Sequence, residues 1–305
     1  MRIEDHFLFQ KDFFRRNFRL FDVYFRNTPE ALHGEIEKKI KTLAGYEETM
    51  TWPVIRGPGF CGATHPGAGK SFNAIMTDGN PSFYNSDCLY IHPGMGIFAV
   101  SDPPGVTTIS RRLFEKLDSR LARTAGDHTD AVIDELAAEI PANLNPTLAL
   151  IRFQKRKFAA KANRANVYIA GDTAVYRGNF HTKHIEQLNG SPHFWGTACR
   201  QSRSCELEIG SGDFFVIVSD GIGSLRQIDT CSSVEEMFLN LILYQPDRFA
   251  EIITGDCNRV YTLKTNGSSR TLLGGTDDIT VLLLIPSQLD YTPLKKGCIL
   301  GGFIG

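Results

Sequence analysis

Apolar positions follow two different rhythms along the chain. Over residues 6–45, Phe7, Phe14, Phe18, Phe21 and Phe25 recur at intervals of three, four or seven, with Lys11, Arg15, Arg16, Arg19 and Arg26 between them. That spacing puts the rings on one face of a helix. Asn27-Thr28-Pro29-Glu30 adds a helix start, with Thr28 as cap and Pro29 in the first turn. The pattern predicts an N-terminal helical extension over residues 1–50. From Thr51 the texture changes to short apolar runs set off by Gly, Pro, Asn and Asp, the signature of strands joined by turns. Strands are expected over residues 90–101, 148–153, 167–170, 214–219 and 279–285. Helical periodicity covers residues 109–124, 131–140 and 234–253, the last interrupted near Pro246. Strands and helices mix without the regular alternation of a parallel sheet, so an α+β layered domain is expected over residues 51–287. Residues 288–305, with a Gly-rich end, read as a C-terminal tail.

Composition narrows the classes of function. The chain has 305 residues, 42% apolar and 22% charged, ordinary for a globular protein with a sizeable core. A formal net charge of −1 gives no field for nucleic acid, so none is expected as partner. The seven cysteines are odd in number and contain no CxxC pair, which argues against a disulfide framework or a zinc ribbon and for a reducing, cytoplasmic setting. Charges break every apolar run near the N-terminus, and no stretch approaches the ~18 apolar residues of a membrane span. The Phe-rich, basic N-terminal helices are suited either to packing on the domain or to docking a partner or an anionic membrane surface.

Chemistry concentrates at strand ends. Ile97-Phe98-Ala99-Val100-Ser101-Asp102 and Phe214-Phe215-Val216-Ile217-Val218-Ser219-Asp220-Gly221 both finish in acid, as does Val167-Tyr168-Ile169-Ala170-Gly171-Asp172. A further run, Thr276-Asp277-Asp278-Ile279-Thr280, opens with acid. In antiparallel neighbours the end of one strand lies beside the start of the next, so these aspartates converge on one edge. Any one Asp of this kind is ordinary turn chemistry. Several together form a carboxylate cluster that needs a cation, and hard oxygen donors suit magnesium or manganese.

The ordered set Asn85-Ser86-Asp87, Asp102, Gly171-Asp172-Thr173, Ser219-Asp220-Gly221 and Gly275-Thr276-Asp277-Asp278-Ile279-Thr280 resembles the metal-dependent protein phosphatases of the PPM, or protein phosphatase 2C, type. Asn145-Pro146-Thr147-Leu148-Ala149 and Leu207-Glu208-Ile209-Gly210-Ser211-Gly212-Asp213-Phe214 support the order. The resemblance implies a four-layer α/β/β/α sandwich of two antiparallel sheets flanked by helices, with two Mg2+ or Mn2+ ions at one end. It implies that Asp102 bridges the ions, that Asp220 and Asp277 complete one of them, and that Asp87 holds a metal directly or through water. The Pro103 carbonyl would be a further ligand, and Asp172 would serve a third, weaker site. Asp102, Asp220 and Asp277 would be the catalytic set, acting through a metal-bridging hydroxide on a phosphoserine or phosphothreonine protein.

The chain departs from the family pattern after Asp102, at Ser82, and at Ser86, where most relatives have an acid or an amide. Pro103-Pro104 replaces a Gly-containing turn, and Ser82 stands where the phosphate-gripping arginine belongs. A hydroxyl brings neither the charge nor the fork of a guanidinium. The competing expectation is therefore a weak or inactive pseudo-phosphatase that binds a partner. Arg111 and Arg112 are candidate substitute phosphate ligands, set against a plain solvated role. Thr64-His65-Pro66-Gly67-Ala68-Gly69-Lys70-Ser71 lacks the first Gly of a phosphate loop and reads as a turn-rich loop, and the histidines lack zinc spacing, so surface or packing roles are expected for them.

Overall fold

A computed structural model describes residues 54–67, 85–104, 107–123, 131–132, 135–136, 147–154, 162–188, 203–222, 234–257, 260–265, 268–273, 277–291 and 296–303. The expected N-terminal extension lies outside them, as does Ser82.

One sheet takes β1 (Val54–Gly57), β2 (Phe60–His65), β7 (Ala174–Asn179), β8 (His184–Gln187), β10 (Asp213–Val218) and β13 (Ile279–Leu284), in the order β1-β2-β13-β10-β7-β8. The second takes β3 (Asn85–His92), β4 (Ile97–Ser101), β5 (Leu148–Gln154), β6 (Arg164–Ala170), β9 (Arg203–Glu208) and β14 (Cys298–Phe303), in the order β14-β3-β4-β5-β6-β9. Every pairing is antiparallel. β11 (Val260–Thr265) and β12 (Ser268–Leu273) form a separate two-stranded ribbon.

Alternation along each strand sends side chains to two different cores. Phe215 and Ile217 point inward to meet Leu89, Phe98, Ile151 and Leu282 between the sheets. Phe214, Val216 and Leu283 point outward, under Phe238 and Leu241 of α2 (Val234–Tyr244) and Phe249 and Ile253 of α3 (Phe249–Cys257). On the second sheet Tyr90, Ala99 and Leu150 point outward, under Leu113, Phe114 and Leu117 of α1 (Ile109–Leu121). The result is the expected α/β/β/α sandwich. Helices cover both outer faces, so the strands read as continuous apolar runs rather than the half-polar alternation of a one-sided antiparallel sheet.

Local chemistry accounts for the departures from expectation. The run 90–101 is two strands, because Pro93 cannot extend a ladder and Gly96 turns the chain with φ 67°. His92 Nδ1 accepts the Met95 N–H at 3.3 Å and caps that turn. The helical run 234–253 divides where expected, into α2, a 3-10 turn at Pro246–Arg248, and α3. Part of the segment read as a tail, Cys298–Phe303, is a strand paired along β3.

At one end of the sandwich the chain passes from β9 to β10, and that crossing is fastened by Asp213. Its carboxylate accepts Arg177 Nη2–H at 2.6 Å, Asn179 Nδ2–H at 2.6 Å and the Gly210 N–H at 2.8 Å. Burial alone would raise its pKa, yet these donors hold it below the usual carboxylate range. A depressed folded pKa contributes stability above the unfolded value of about 4 and loses it as pH falls through the folded value. Asp213→Ala should lower stability at pH 7 by about 2–3 kcal/mol, the scale for losing hydrogen bonds to a charged group. The difference from wild type should shrink in denaturant melts as pH drops below about 4.

Candidate metal centre

Sheet register carries the acids to one end. Cys88 pairs with Ser101, so Asp87 and Asp102 fall opposite one another one step further along β3 and β4. Val218 pairs with Val281 on one side and Ala174 on the other, so Ser219 and Asp220 continue beyond β10 between Thr280 and Thr173. The Ser219 N–H donates to the Thr280 carbonyl at 3.0 Å, and the Thr280 N–H donates to Ser219 Oγ at 2.9 Å.

Two glycines make this geometry achievable. β6 belongs to the second sheet and β7 to the first, so residues 171–173 carry the chain across the sandwich. Gly171 turns it with φ 87°, and a Cβ there would lie 2.5 Å from Thr147 Cγ2. The Thr147 and Thr173 hydroxyls are hydrogen-bonded across the same crossing. At Gly221 the constraint is proximity, since a Cβ would sit 2.0 Å from the Asp278 carbonyl oxygen.

A second layer of polar contacts joins the sheets beneath the acids. Asn85 Nδ2–H donates to Thr64 Oγ1 at 2.8 Å, and Thr64 Oγ1 shares a hydrogen bond with Thr280 Oγ1 at 2.7 Å. The Ser86 N–H donates to Asp278 Oδ2 at 2.8 Å. On the second sheet Ser101 Oγ–H donates to the Thr147 carbonyl at 2.7 Å, while Asp102 and Thr147 exchange backbone hydrogen bonds.

The electrostatics are those of acids crowded against one another. Asp87 is 0% exposed, and among the described residues neither of its oxygens has a hydrogen-bond partner of ordinary geometry. Burial and then the charge of Asp278 push its carboxyl up to about 8. Burial, followed by Asp87 and Asp220, pushes Asp102 up to about 12. Asp220 is raised by burial and then by Asp277, with Asp172 adding to the effect. Asp172 and Asp277 are themselves exposed.

No family model and no curated protein matches the sequence. Structural comparison does find matches. The photosystem II phosphatase PBCP superimposes with a TM-score of 0.52 at 16% identity, over 77% of this chain and 100% of that one. PppA, a regulatory component of the T6SS in Pseudomonas aeruginosa, gives 0.50 at 16% identity, over 76% and 98%. A bacterial serine phosphatase, in a point-mutant form, gives 0.50 at 14% identity, over 75% and 98%. The chain has the fold of the PPM-type phosphatases.

Within that PPM-type fold, Asp87, Asp102, Asp172, Asp220 and Asp277 all lie at one end of the sandwich. They interact as a row: Asp87 with Asp102, Asp102 with Asp220, and Asp220 with both Asp277 and Asp172. Among the described residues no group of three or more His, Cys, Asp or Glu stands close enough together to hold an ion as arranged. The donor chemistry fits a hard divalent cation nonetheless, because Asp87 is a fully buried carboxyl without a hydrogen bond of ordinary geometry, and Asp102 and Asp278 lie in its field. Pro103 is buried directly after Asp102.

Arg111 is engaged elsewhere. Its Nε–H donates to Glu115 at 3.0 Å and its Nη1–H to the Gly301 carbonyl at 3.1 Å, while Arg112 is exposed. His65 is buried, with Nδ1 accepting the Gly67 N–H at 3.0 Å and its pKa lowered to about 3 by burial, so it remains neutral. Motif order assigns no role to Thr64, Thr280 or Asp278. For Asp278 the available signal is a doubled acid opening a strand, where one residue must face out and the next in.

Carboxyls raised above their unfolded pKa favour the folded state while protonated, and that contribution is lost as pH rises from the unfolded value of about 4 toward the folded one. For Asp87 the window is about 4 to 8. Metal-free protein should therefore melt at lower temperature at pH 8 than at pH 5.5, and Asp87→Asn should flatten that slope in the same calorimetric scans.

Proposed function

We propose that the chain is a metal-dependent serine/threonine phosphoprotein phosphatase. The observation that carries this reading is the Asp87 carboxyl, fully buried and crowded against the Asp102 and Asp278 carboxyls. A protein keeps such a group at a cost of several kcal/mol unless a cation completes it. On this reading Asp102, Asp220 and Asp277 hold two divalent ions, Mg2+ or Mn2+, with Asp87 joining directly or through water. The Pro103 carbonyl adds a ligand, and Asp172 serves a third ion. When bound, such ions supply a water of lowered pKa as nucleophile and offset the charge on the phosphoryl oxygens.

The chain itself holds the acids at the ends of paired strands, with their backbones locked by Thr147, Ser219 and Thr280. That restricts reorganisation during the reaction, and with water as the nucleophile the reading requires no protein nucleophile. The exposed Asp172 and Asp277 mark the side from which a phosphorylated side chain enters.

A second reading, a catalytically silent module that binds a partner, is favoured by the pairwise rather than threefold meeting of the acids among the described residues and by Ser82. Two measurements separate them. Wild-type protein should hydrolyse a phosphothreonine peptide when Mn2+ or Mg2+ is supplied, and Asp220→Ala should fall to background at unchanged melting temperature. In titration calorimetry wild type should bind Mn2+ and Asp102→Ala should not. Absence of both binding and turnover across metals and phosphopeptides would leave the scaffold reading standing.

A further inference from the structure

Two sheets contribute to the centre, and something must fix the distance between them at that end. Asp87 and Asp102 ride on the second sheet, while Asp220 and Asp277 ride on the first. Asp278 touches both. Its side chain is buried, at 3% exposed, and Oδ2 accepts the Ser86 N–H at 2.8 Å, one residue from Asp87. Its own N–H donates to Asp277 Oδ1 at 2.8 Å, and its carbonyl accepts Ser219 Oγ–H at 3.4 Å, one residue from Asp220. Gly221 packs so closely on that carbonyl that a methyl group would not fit. Ordinary strand pairing runs within each sheet and cannot set this spacing. Two other side-chain bonds run from sheet to sheet at this end, Asn85 to Thr64 and Thr147 to Thr173, and neither holds the Ser86 backbone.

We propose that Asp278 is a positioning residue, a latch that fixes the Asn85-Ser86-Asp87 segment of one sheet against the Asp277 and Asp220 segments of the other and so sets the span of the metal centre. The latch rests on the metal-dependent reading for its purpose, but not for its existence. It works through an accepted hydrogen bond, so an amide oxygen in place of the carboxylate should serve as well.

The test compares wild type, Asp278→Asn and Asp278→Ala in two measurements on the whole chain. The first is Mn2+ affinity by calorimetry. Loss of an outer partner of this kind costs about 10- to 100-fold in metal affinity, so Asp278→Ala should weaken by that much, whereas Asp278→Asn should stay within about threefold of wild type. The second is amide exchange at Ser86 in the metal-free protein, slow in wild type and Asp278→Asn and fast in Asp278→Ala. Equal Mn2+ affinity in wild type and Asp278→Ala would overturn the latch. So would an Asp278→Asn variant as weak as Asp278→Ala with Ser86 still protected, because the centre would then be using the charge of Asp278. If wild type binds no Mn2+, the phosphatase reading falls and exchange alone decides: protection lost only in Asp278→Ala upholds the latch, and fast exchange in wild type overturns it. If Asp278→Ala does not fold, slow Ser86 exchange in both wild type and Asp278→Asn upholds it, and fast exchange in either overturns it.

Discussion

Carboxylates buried beside one another repel, and at the end of this sandwich Asp87 faces both Asp102 and Asp278. Burial adds to the repulsion, because a charge in a low-dielectric interior loses most of its hydration. Left to themselves the acids would swing toward water or take up protons. Asp87 cannot swing out: it lies inside β3, next to Cys88, which pairs with Ser101 of β4 on one side and Gly301 of β14 on the other. The repulsion in that arrangement is resisted by backbone ladders running the length of both sheets.

Those ladders can resist it because each sheet is covered on both faces. Phe98 and Phe215 sit in the middle layer, Phe114 above one sheet and Phe238 and Phe249 below the other, all fully buried. A fully buried ring of this kind contributes about 1.5–3 kcal/mol relative to exposure. The apolar layers hold the strands in register, and register is what delivers each acid to the same end. A slip of one residue would turn every inward side chain outward and would move Asp102 away from Asp87.

Much of this was legible in the residues. Apolar runs ending in Asp102, Asp172 and Asp220 located three strand ends, and Pro246 located the break between two helices. What was not legible has physical reasons. β2 is broken by Gly62, Thr64 and His65, and β14, apolar at Cys298, Ile299, Leu300 and Phe303, is broken by Gly301 and Gly302, so neither shows a strand's continuous apolar run, and they are strands because a neighbouring β13 or β3 supplies their partners. The hairpin at Pro93 was hidden because the strands on either side are equally apolar. At the site, sequence spacing named the acids but not their burial. Only the fold shows that Asp278 faces inward while Asp277 faces out, and that Arg111 directs its donors to Glu115 and Gly301.

The hydrogen bond between Thr64 and Thr280 spans 216 positions of sequence. β2 therefore has to wait for β13 before its sheet can close, and contacts of such long range slow folding because the loop must be ordered before they form. During synthesis, a ribosome-bound chain that already carries Asp87, Asp102, Asp172 and Asp220 still lacks the strand that joins the first of its edges to the last. The acids are thus brought together only once β13 has been made, and a product ending before β13 would present unpaired apolar strands.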